Sequence, residues 1–260
     1  MKQLSLKKMI IFITLLFTFI GEKSYTNTFN FKTVLDSAFT AYNKKDYKKA
    51  IQFYHQIIDS GFASAYLYYN IGNAYFRTNE IAKAILYYEK AKLLNPKDPD
   101  IEHNLKYANA LISDKINELP EPFYITWFRQ ITYLFNANTW AWISISLFLL
   151  ILVLIYVNFL SSSLFFTRLI KTIATFIFFA WIFSLSTTYY TYKYSASKKY
   201  AIIMSKVVEV KSSPDENSTS LFVLHEGTKV YIKDEFEEWL EIKIADGNTG
   251  WLKTTDVERI

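Results

Sequence analysis

Hydrophobic and polar positions change pattern four times along this chain of 260 residues. A short apolar run at residues 9–20 is followed, from residue 31, by apolar positions at helical spacing. Two long uncharged stretches come next, at residues 139–160 and near 172–190, and short alternating runs fill residues 200–260. Runs of these lengths predict a multidomain membrane protein with an all-α region, a two-helix transmembrane hairpin and an all-β region at the C-terminal end.

Residues 1–27 are predicted to be a signal peptide or an N-terminal anchor. Lys2, Lys7 and Lys8 precede the apolar run, which has the length of a signal h-region and is too short to span a bilayer as a stable helix. The following sequence, FIGEKSYTN, contains no A-x-A-like pair of small residues. Cleavage and retention as an anchor therefore both stay open.

Residues 31–64 and 65–98 share a period of 34 residues. The corresponding positions are Ala38 with Gly72, Ala50 with Ala84, Tyr54 with Tyr88, and Ile57 with Ala91. This period, with small residues where two helices touch, is typical of tetratricopeptide repeats. Stacked repeats need about three units to bury a continuous core, so residues 99–118 are predicted to form a capping helix.

The uncharged stretch at residues 139–160 is 22 residues long, or about 33 Å as a helix, which is enough to cross a bilayer. The second predicted span covers residues 172–190, with a cytoplasmic loop at 161–171. Residues 119–138 form a juxtamembrane segment, for which a surface helix and a buried connector helix both remain open. Basic residues on the two sides of the predicted spans nearly balance, so charge does not decide the orientation. The orientation then depends on the N-terminal export signal, which places both soluble regions outside the cytoplasm.

The runs between residues 200 and 260 are separated by Pro214, Gly227 and the Asp246-Gly247 pair. Short β-type runs at this spacing predict a small barrel of about 60 residues. Gly250-Trp251 and the run around Val257 are similar to the closing half of a bacterial SH3 domain. Trp239 and Trp251 are the candidate ligand-contacting rings of this SH3-like domain. One of the two is expected in the barrel core and the other beside a peptide or glycan groove, and both assignments stay open.

Composition and charge argue against several functions. The chain has no cysteine, which excludes thiolate nucleophiles, and its three histidines stand apart from other metal-ligand residues in the sequence. Residues 119–200 carry a net charge of +5 and residues 201–260 a net charge of −5, so no folded region has the basic surface of a nucleic-acid binder. No catalytic or phosphate-binding motif is present. We therefore expect a protein that is not an enzyme and that has no metal and no cofactor.

A partner-binding groove is predicted along the first helix of each repeat. Its candidate residues are Phe39, Tyr42, Asn43, Tyr66, Tyr69, Asn70, Asn73, Phe76, Arg77 and Tyr107, with His103 beside them. Tyrosine rings supply rigid contact area, while Asn73 and Arg77 can hydrogen-bond an extended backbone or a carboxylate. The alternative is that several of these tyrosines pack into the capping helix. The basic clamp that some tetratricopeptide domains use for acidic tails is absent, because Leu35, Phe39, Asp100 and Asn104 occupy its positions.

The order of these regions resembles the BatE family, the aerotolerance-operon E proteins of Bacteroidetes. The segments that carry the resemblance are YYNIGNAYFRTNEIAKAILYYEKAKLLNPKDPDIEHNL, NTWAWISI and SSPDENSTSLFVLHEGTKVYI with WLEIKIADGNTGW. The export signal and the two spans predict a non-catalytic bacterial inner-membrane scaffold with periplasmic soluble domains. The resemblance implies a role linked to oxidative or aerotolerance stress. It also implies partners, namely membrane proteins with von Willebrand A domains and a MoxR-type ATPase system. The alternative function is a peptidoglycan-binding sensor of the cell envelope that uses the SH3-like domain.

Overall fold

The computed structural model describes residues 30–116, 119–120, 122–196 and 199–260. The predicted signal peptide or anchor at residues 1–27 lies outside the described residues. The described chain forms a helical repeat region, a short helix, two long apolar helices and an antiparallel sheet. The order of regions predicted from the sequence is therefore confirmed at this level.

The repeat region consists of α1 (Phe31–Asn43), α2 (Tyr47–Asp59), α3 (Ala65–Arg77), α4 (Ile81–Leu94) and α5 (Pro99–Leu111). Polar side chains start several of these helices by accepting a backbone N–H that would otherwise lack a partner. Asp46 accepts from Lys49, Ser64 accepts from Leu67, and Asp98 accepts from the first turn of α5. Each hairpin thus has its own local start signal.

Small side chains bring the two helices of each hairpin together. Ala38, Ala50 and Ala84 are fully buried. A Cβ atom added at Gly72 would lie 2.6 Å from the Tyr88 ring, so α3 and α4 are closer there than alanine allows. These are the positions that the sequence period marks, and they lie in one apolar core shared by both repeats.

The capping helix is shorter than predicted. Residues 99–118 were expected to be helical, but α5 ends at Leu111 and Ile112 is extended, with ψ 156°. A Cβ at Gly227 would lie 2.5 Å from Cγ2 of Ile112, so the C-terminal region packs directly on this residue. The chain leaves the helix early because Ile112 and Asp114 make contacts with the sheet.

The region between the repeats and the sheet contains α6 (Phe123–Thr132), α7 (Ala137–Leu160) and α8 (Leu164–Ala196). Both α7 and α8 are long and apolar enough to cross a membrane. Residues 161–163 alone separate the two helices, so most of the predicted loop at 161–171 belongs to α8. Arg168 and Lys171 consequently lie on the first turns of α8.

Helix α6 packs against the N-terminal end of α7 and the C-terminal half of α8. The Trp140 indole N–H donates to the Thr132 carbonyl at 2.9 Å, and the Ser184 hydroxyl donates to the Trp140 carbonyl at 3.2 Å. Opposite this packed side, Phe123 and Trp127 are exposed, at 82% and 60% of their surface. An amphipathic helix of this kind favours the surface-helix interpretation of residues 119–138.

The sheet contains β1 (Tyr200–Ile203), β2 (Val207–Lys211), β3 (Ser220–His225), β4 (Lys229–Phe236), β5 (Trp239–Lys243), β6 (Thr249–Lys253) and β7 (Val257–Arg259). Its strand order is β3-β2-β6-β5-β4-β1-β7, with antiparallel pairing throughout. The edge strands β3 and β7 do not pair with each other within the described residues, so the sheet is open. The prediction of a closed SH3-like barrel is therefore not confirmed.

The sheet packs on α4, the second helix of the second repeat. Ile202 of β1 is fully buried in the apolar core of the repeats, and Met204 and Ile260 pack against that core. The Lys229 ammonium lies 2.7 Å from the Glu89 carboxylate at the edge of this contact. The repeats and the sheet are thus joined by an apolar contact with an ion pair beside it.

Asp114 is a second polar connection between the repeats and the sheet. Its carboxylate accepts hydrogen bonds from the His225 backbone N–H at 2.8 Å, from His225 Nδ1 at 2.7 Å and from the Thr228 hydroxyl at 2.7 Å. Burial alone would raise the pKa of Asp114, but the hydrogen bonds from Thr228 and His225 outweigh burial and hold the pKa below its usual value. The ionised carboxylate therefore stabilises the contact.

Replacing Asp114 with asparagine should weaken the contact between repeats and sheet at neutral pH. We expect Asp114→Asn to lower the free energy of unfolding at pH 7 by about 1–3 kcal/mol, because two or three hydrogen bonds to a charged group are weakened. The measurement is urea unfolding of the full chain in detergent. Asp36→Asn, which removes the same charge from an exposed position on α1, should have little effect.

The effect of Asp114→Asn should depend on pH with a defined sign. Because the pKa of Asp114 is lowered in the folded state, its stabilisation is present above the ordinary aspartate pKa of about 3.9 and is lost as pH falls through the folded-state pKa. The difference between the native chain and the variant should therefore shrink below about pH 4. A difference that stays constant from pH 7 to pH 3 would contradict this role for the carboxylate.

Candidate functional site

A cavity of about 490 Å³ lies between the first helices of the repeats and the capping helix. We call it the groove cavity. Its lining residues are Tyr42, Tyr69, Asn73, Phe76, Arg77, Tyr88, His103, Asn104 and Tyr107. Six of the ten groove residues predicted from the sequence are among them, together with His103, so the repeat period brings these distant positions into one site.

The other four predicted groove residues lie on the same two helices, α1 and α3, outside the lining of the cavity. The rings of Phe39 and Tyr66 are 6.0 Å apart. The Asn70 amide donates to the Tyr66 carbonyl at 2.8 Å, and Asn43 is exposed near the end of α1. These residues extend the face beyond the cavity towards the first repeat.

Two lining residues, Tyr88 and Asn104, were not predicted from the sequence as groove residues. Tyr88 lies on a second helix, whereas the sequence analysis considered first helices for the groove. Asn104 was considered only as a departure from a basic clamp. The sequence signal that could have found Tyr88 is its position opposite Gly72, where the missing side chain lets the Tyr88 ring lie against α3.

Hydrogen bonds among these residues form a fixed polar floor. The Oδ1 atom of Asn73 accepts from the Tyr88 hydroxyl at 2.7 Å and from Asn104 Nδ2 at 2.9 Å. Asn104 Nδ2 also donates to the Tyr69 hydroxyl at 3.0 Å. Two donors on one oxygen fix the orientation of the Asn73 amide, so its Nδ2 group can donate to a ligand.

Aromatic rings and one cation surround this floor. The rings of Phe76 and Tyr107 are 5.6 Å apart, and those of Tyr69 and Tyr88 are 6.0 Å apart. A hydrogen bond with Tyr42 raises the pKa of the Arg77 guanidinium, so Arg77 stays cationic. A fixed amide, a guanidinium and aromatic rings are groups that recognise a peptide segment through its backbone, a carboxylate and apolar side chains.

The first repeat lacks this polar floor because Phe39 and Leu35 stand at the positions of Asn73 and Tyr69. Phe39 stands 34 positions before Asn73, and it meets the Tyr54 ring edge-on at 6.4 Å. The Tyr54 hydroxyl is buried and has no hydrogen-bond partner among the described residues, whereas that of Tyr88 donates to Asn73. Burial raises the pKa of both tyrosines, so both hydroxyls stay protonated at neutral pH.

The two tryptophans that were candidate ligand contacts lie on adjacent strands and differ in exposure. Trp239 is buried, and the Lys253 ammonium lies 5.7 Å from its ring centre. Trp251 is half-buried on β6, in the register position opposite Lys211. Trp251 is therefore the more accessible ring of the pair.

The histidines have structural partners or lie in the groove. His55 Nε2 lies 3.1 Å from the Tyr75 hydroxyl, His225 pairs with Asp114, and His103 lines the groove cavity. Within the part of the chain that the structure describes, no three histidine, cysteine or acidic side chains come together at metal-binding distance.

Comparison with known proteins bears on the second repeat. The family model of the tetratricopeptide repeat matches residues 65–98, which are α3, α4 and the turn that follows. A search of curated proteins found no match to the chain. The similarity therefore concerns one repeat, and it agrees with the boundaries that the 34-residue period predicts.

Removing the hydroxyl from Tyr54 or from the equivalent Tyr88 should affect the free energy of unfolding differently. We expect Tyr88→Phe to lower the free energy of unfolding by about 1 kcal/mol, because Asn73 loses a buried donor. Tyr54→Phe should leave stability unchanged or raise it slightly, since it removes a buried hydroxyl that has no partner. Urea unfolding of both full-length variants in detergent makes the comparison, and equal losses would contradict the proposed difference between the repeats.

Proposed function

We propose that this protein is a non-catalytic membrane scaffold that binds an extended segment of a partner protein in the groove cavity. Tetratricopeptide repeats generally mediate protein–protein interactions, and residues 65–98 match that repeat. The observation that carries the proposal is the fixed amide of Asn73 at the floor of an aromatic cavity. This arrangement suits a peptide backbone better than a small reactive substrate.

The groove also indicates what kind of segment would bind. Arg77 is the one guanidinium among the lining residues, and His103 adds an imidazole ring. A single carboxylate or backbone carbonyl would satisfy Arg77, while Phe76, Tyr69 and Tyr107 would contact apolar side chains. A highly acidic tail would find too few cations in this cavity.

The contact between the repeats and the sheet supports attachment by a membrane hairpin. Ile202 is buried in the core of the repeats, so the two regions must lie on the same side of any membrane. Two membrane crossings, one by α7 and one by α8, would carry the chain from residue 116 across the bilayer and back to the same side at residue 199. Both soluble regions are assigned to the periplasm of a bacterial inner membrane on the basis of the predicted export signal.

The resemblance to the BatE family supplies the proposed cellular setting. It supports membrane proteins with von Willebrand A domains and a MoxR-type ATPase system as partners, in a role linked to aerotolerance. The sheet is assigned to the SH3-like class on its sequence pattern. The alternative function, a peptidoglycan-binding sensor, would use the more accessible Trp251 ring as a glycan contact.

A photo-crosslinking residue placed at Tyr69 should capture a discrete partner. We expect Arg77→Ala to reduce that adduct about tenfold, the effect of losing about 1.4 kcal/mol of binding energy. Adducts are measured by mass spectrometry after crosslinking in cells. The matched control places the crosslinker at Gln52, which is exposed on α2. The same adducts at both positions, unaffected by Arg77→Ala, would contradict groove binding.

The proposed topology makes its own prediction. Reporters fused after Ile116, Ser163 and Ile260 should report outside, inside and outside, because α7 and α8 each cross once. Compartment-specific enzyme activity of each fusion is the measurement. Opposite signals after Ile116 and Ile260 would contradict the hairpin, and the reverse pattern at all three points would overturn the periplasmic assignment alone.

A further inference from the structure

A second cavity, of about 660 Å³, lies where the repeats, the sheet, α6 and α8 meet. We call it the junction cavity. Lys92 of α4 and Lys115 line it from the repeat region, Lys229 lines it from the sheet, and Arg129 lines it from α6. Because four separate parts of the chain contribute, this cavity exists only in the assembled fold.

Among the described residues, the lining of the junction cavity has more basic than acidic side chains. Its lining has four cationic side chains against two acidic ones, Glu89 and Asp114. Glu89 already accepts from Lys229, and Asp114 already accepts from His225 and Thr228. In the described ranges, neither Lys92 nor Lys115 has a carboxylate within ion-pair distance, and Lys115 donates to the Ala110 carbonyl. An anionic ligand would supply a counter-charge for Lys92 and Lys115.

The position of the cavity indicates where that ligand comes from. Thr191 lines the cavity from α8, whose apolar candidate span ends at Lys193. Arg129 lines it from α6, the helix that exposes Phe123 and Trp127. Aromatic side chains at the end of an apolar span mark the level of lipid head groups. The cavity therefore lies at the height at which phospholipid phosphates occur.

We propose that the junction cavity binds the phosphate of an anionic membrane phospholipid, with Lys92 and Lys115 as its principal charged contacts. This inference rests on the membrane attachment in the proposed function and adds a ligand at a different site from the groove cavity. A bound head group would bridge the repeats and the membrane helices. It would thereby hold the groove cavity at one orientation to the bilayer.

Lipid binding to the delipidated full chain, followed by native mass spectrometry, tests the proposal. We expect phosphatidylglycerol to bind about tenfold more tightly than phosphatidylcholine. Lys92→Gln with Lys115→Gln should abolish that preference, whereas Lys92→Arg with Lys115→Arg should retain it because both cations remain. The matched control, Lys97→Gln with Lys106→Gln, removes two exposed lysines of the repeat region that do not line the cavity. It should behave as the native chain does.

The remaining outcomes are decisive. Equal binding of the two lipids, or a preference that survives in the Lys92→Gln/Lys115→Gln variant, would overturn the site. Displacement of the bound lipid by millimolar inorganic phosphate, with the phosphate itself retained, would overturn the lipid as its source. If the chain does not insert into lipid nanodiscs, membrane attachment fails. If it inserts but shows no lipid preference, the proposed function stands and this inference alone fails.

Discussion

The burial of Ile202 in the core of the repeats is the contact on which the rest of the arrangement depends. A buried isoleucine contributes about 2 kcal/mol relative to an exposed one, and Met204 and Ile260 add apolar area beside it. Polar groups surround this contact: Glu89 pairs with Lys229, and Asp114 accepts three hydrogen bonds. Two repeats alone would leave α4 partly uncovered, and the sheet covers that face in place of further repeats.

This contact also leaves one face of the repeats covered by the sheet and the opposite face free for a partner. The sheet occupies the α4 side, so the groove cavity between α1, α3 and α5 stays open to a partner. It also requires the connection between the two regions to leave and return on one side of any membrane, as the proposed α7–α8 hairpin would. The proposed membrane hairpin and the groove cavity are compatible because the sheet and the repeats form one packed unit.

Within that unit the two repeats are not equivalent. Asn73 gives the second repeat a polar floor with Tyr88 and Asn104, whereas Phe39 leaves the Tyr54 hydroxyl without a partner among the described residues. The proposed recognition of a peptide backbone would therefore be concentrated in the second repeat and the capping helix. The aromatic pair Phe39 and Tyr66 extends the surface with apolar area but without a fixed donor.

Periodicity and segment length determined the elements themselves. The 34-residue spacing located both hairpins and most of the groove, because helical repeats place equivalent residues at equivalent positions. Uncharged length located α7 and α8. Only the tertiary structure decided that α5 ends at Leu111, that the sheet is open, and that Asp114 reaches His225 across 111 positions of sequence. The junction cavity, too, could be found only from the tertiary structure. Local pattern reports which face of an element is apolar, but not which distant element covers that face, since this depends on contacts that sequence spacing does not encode.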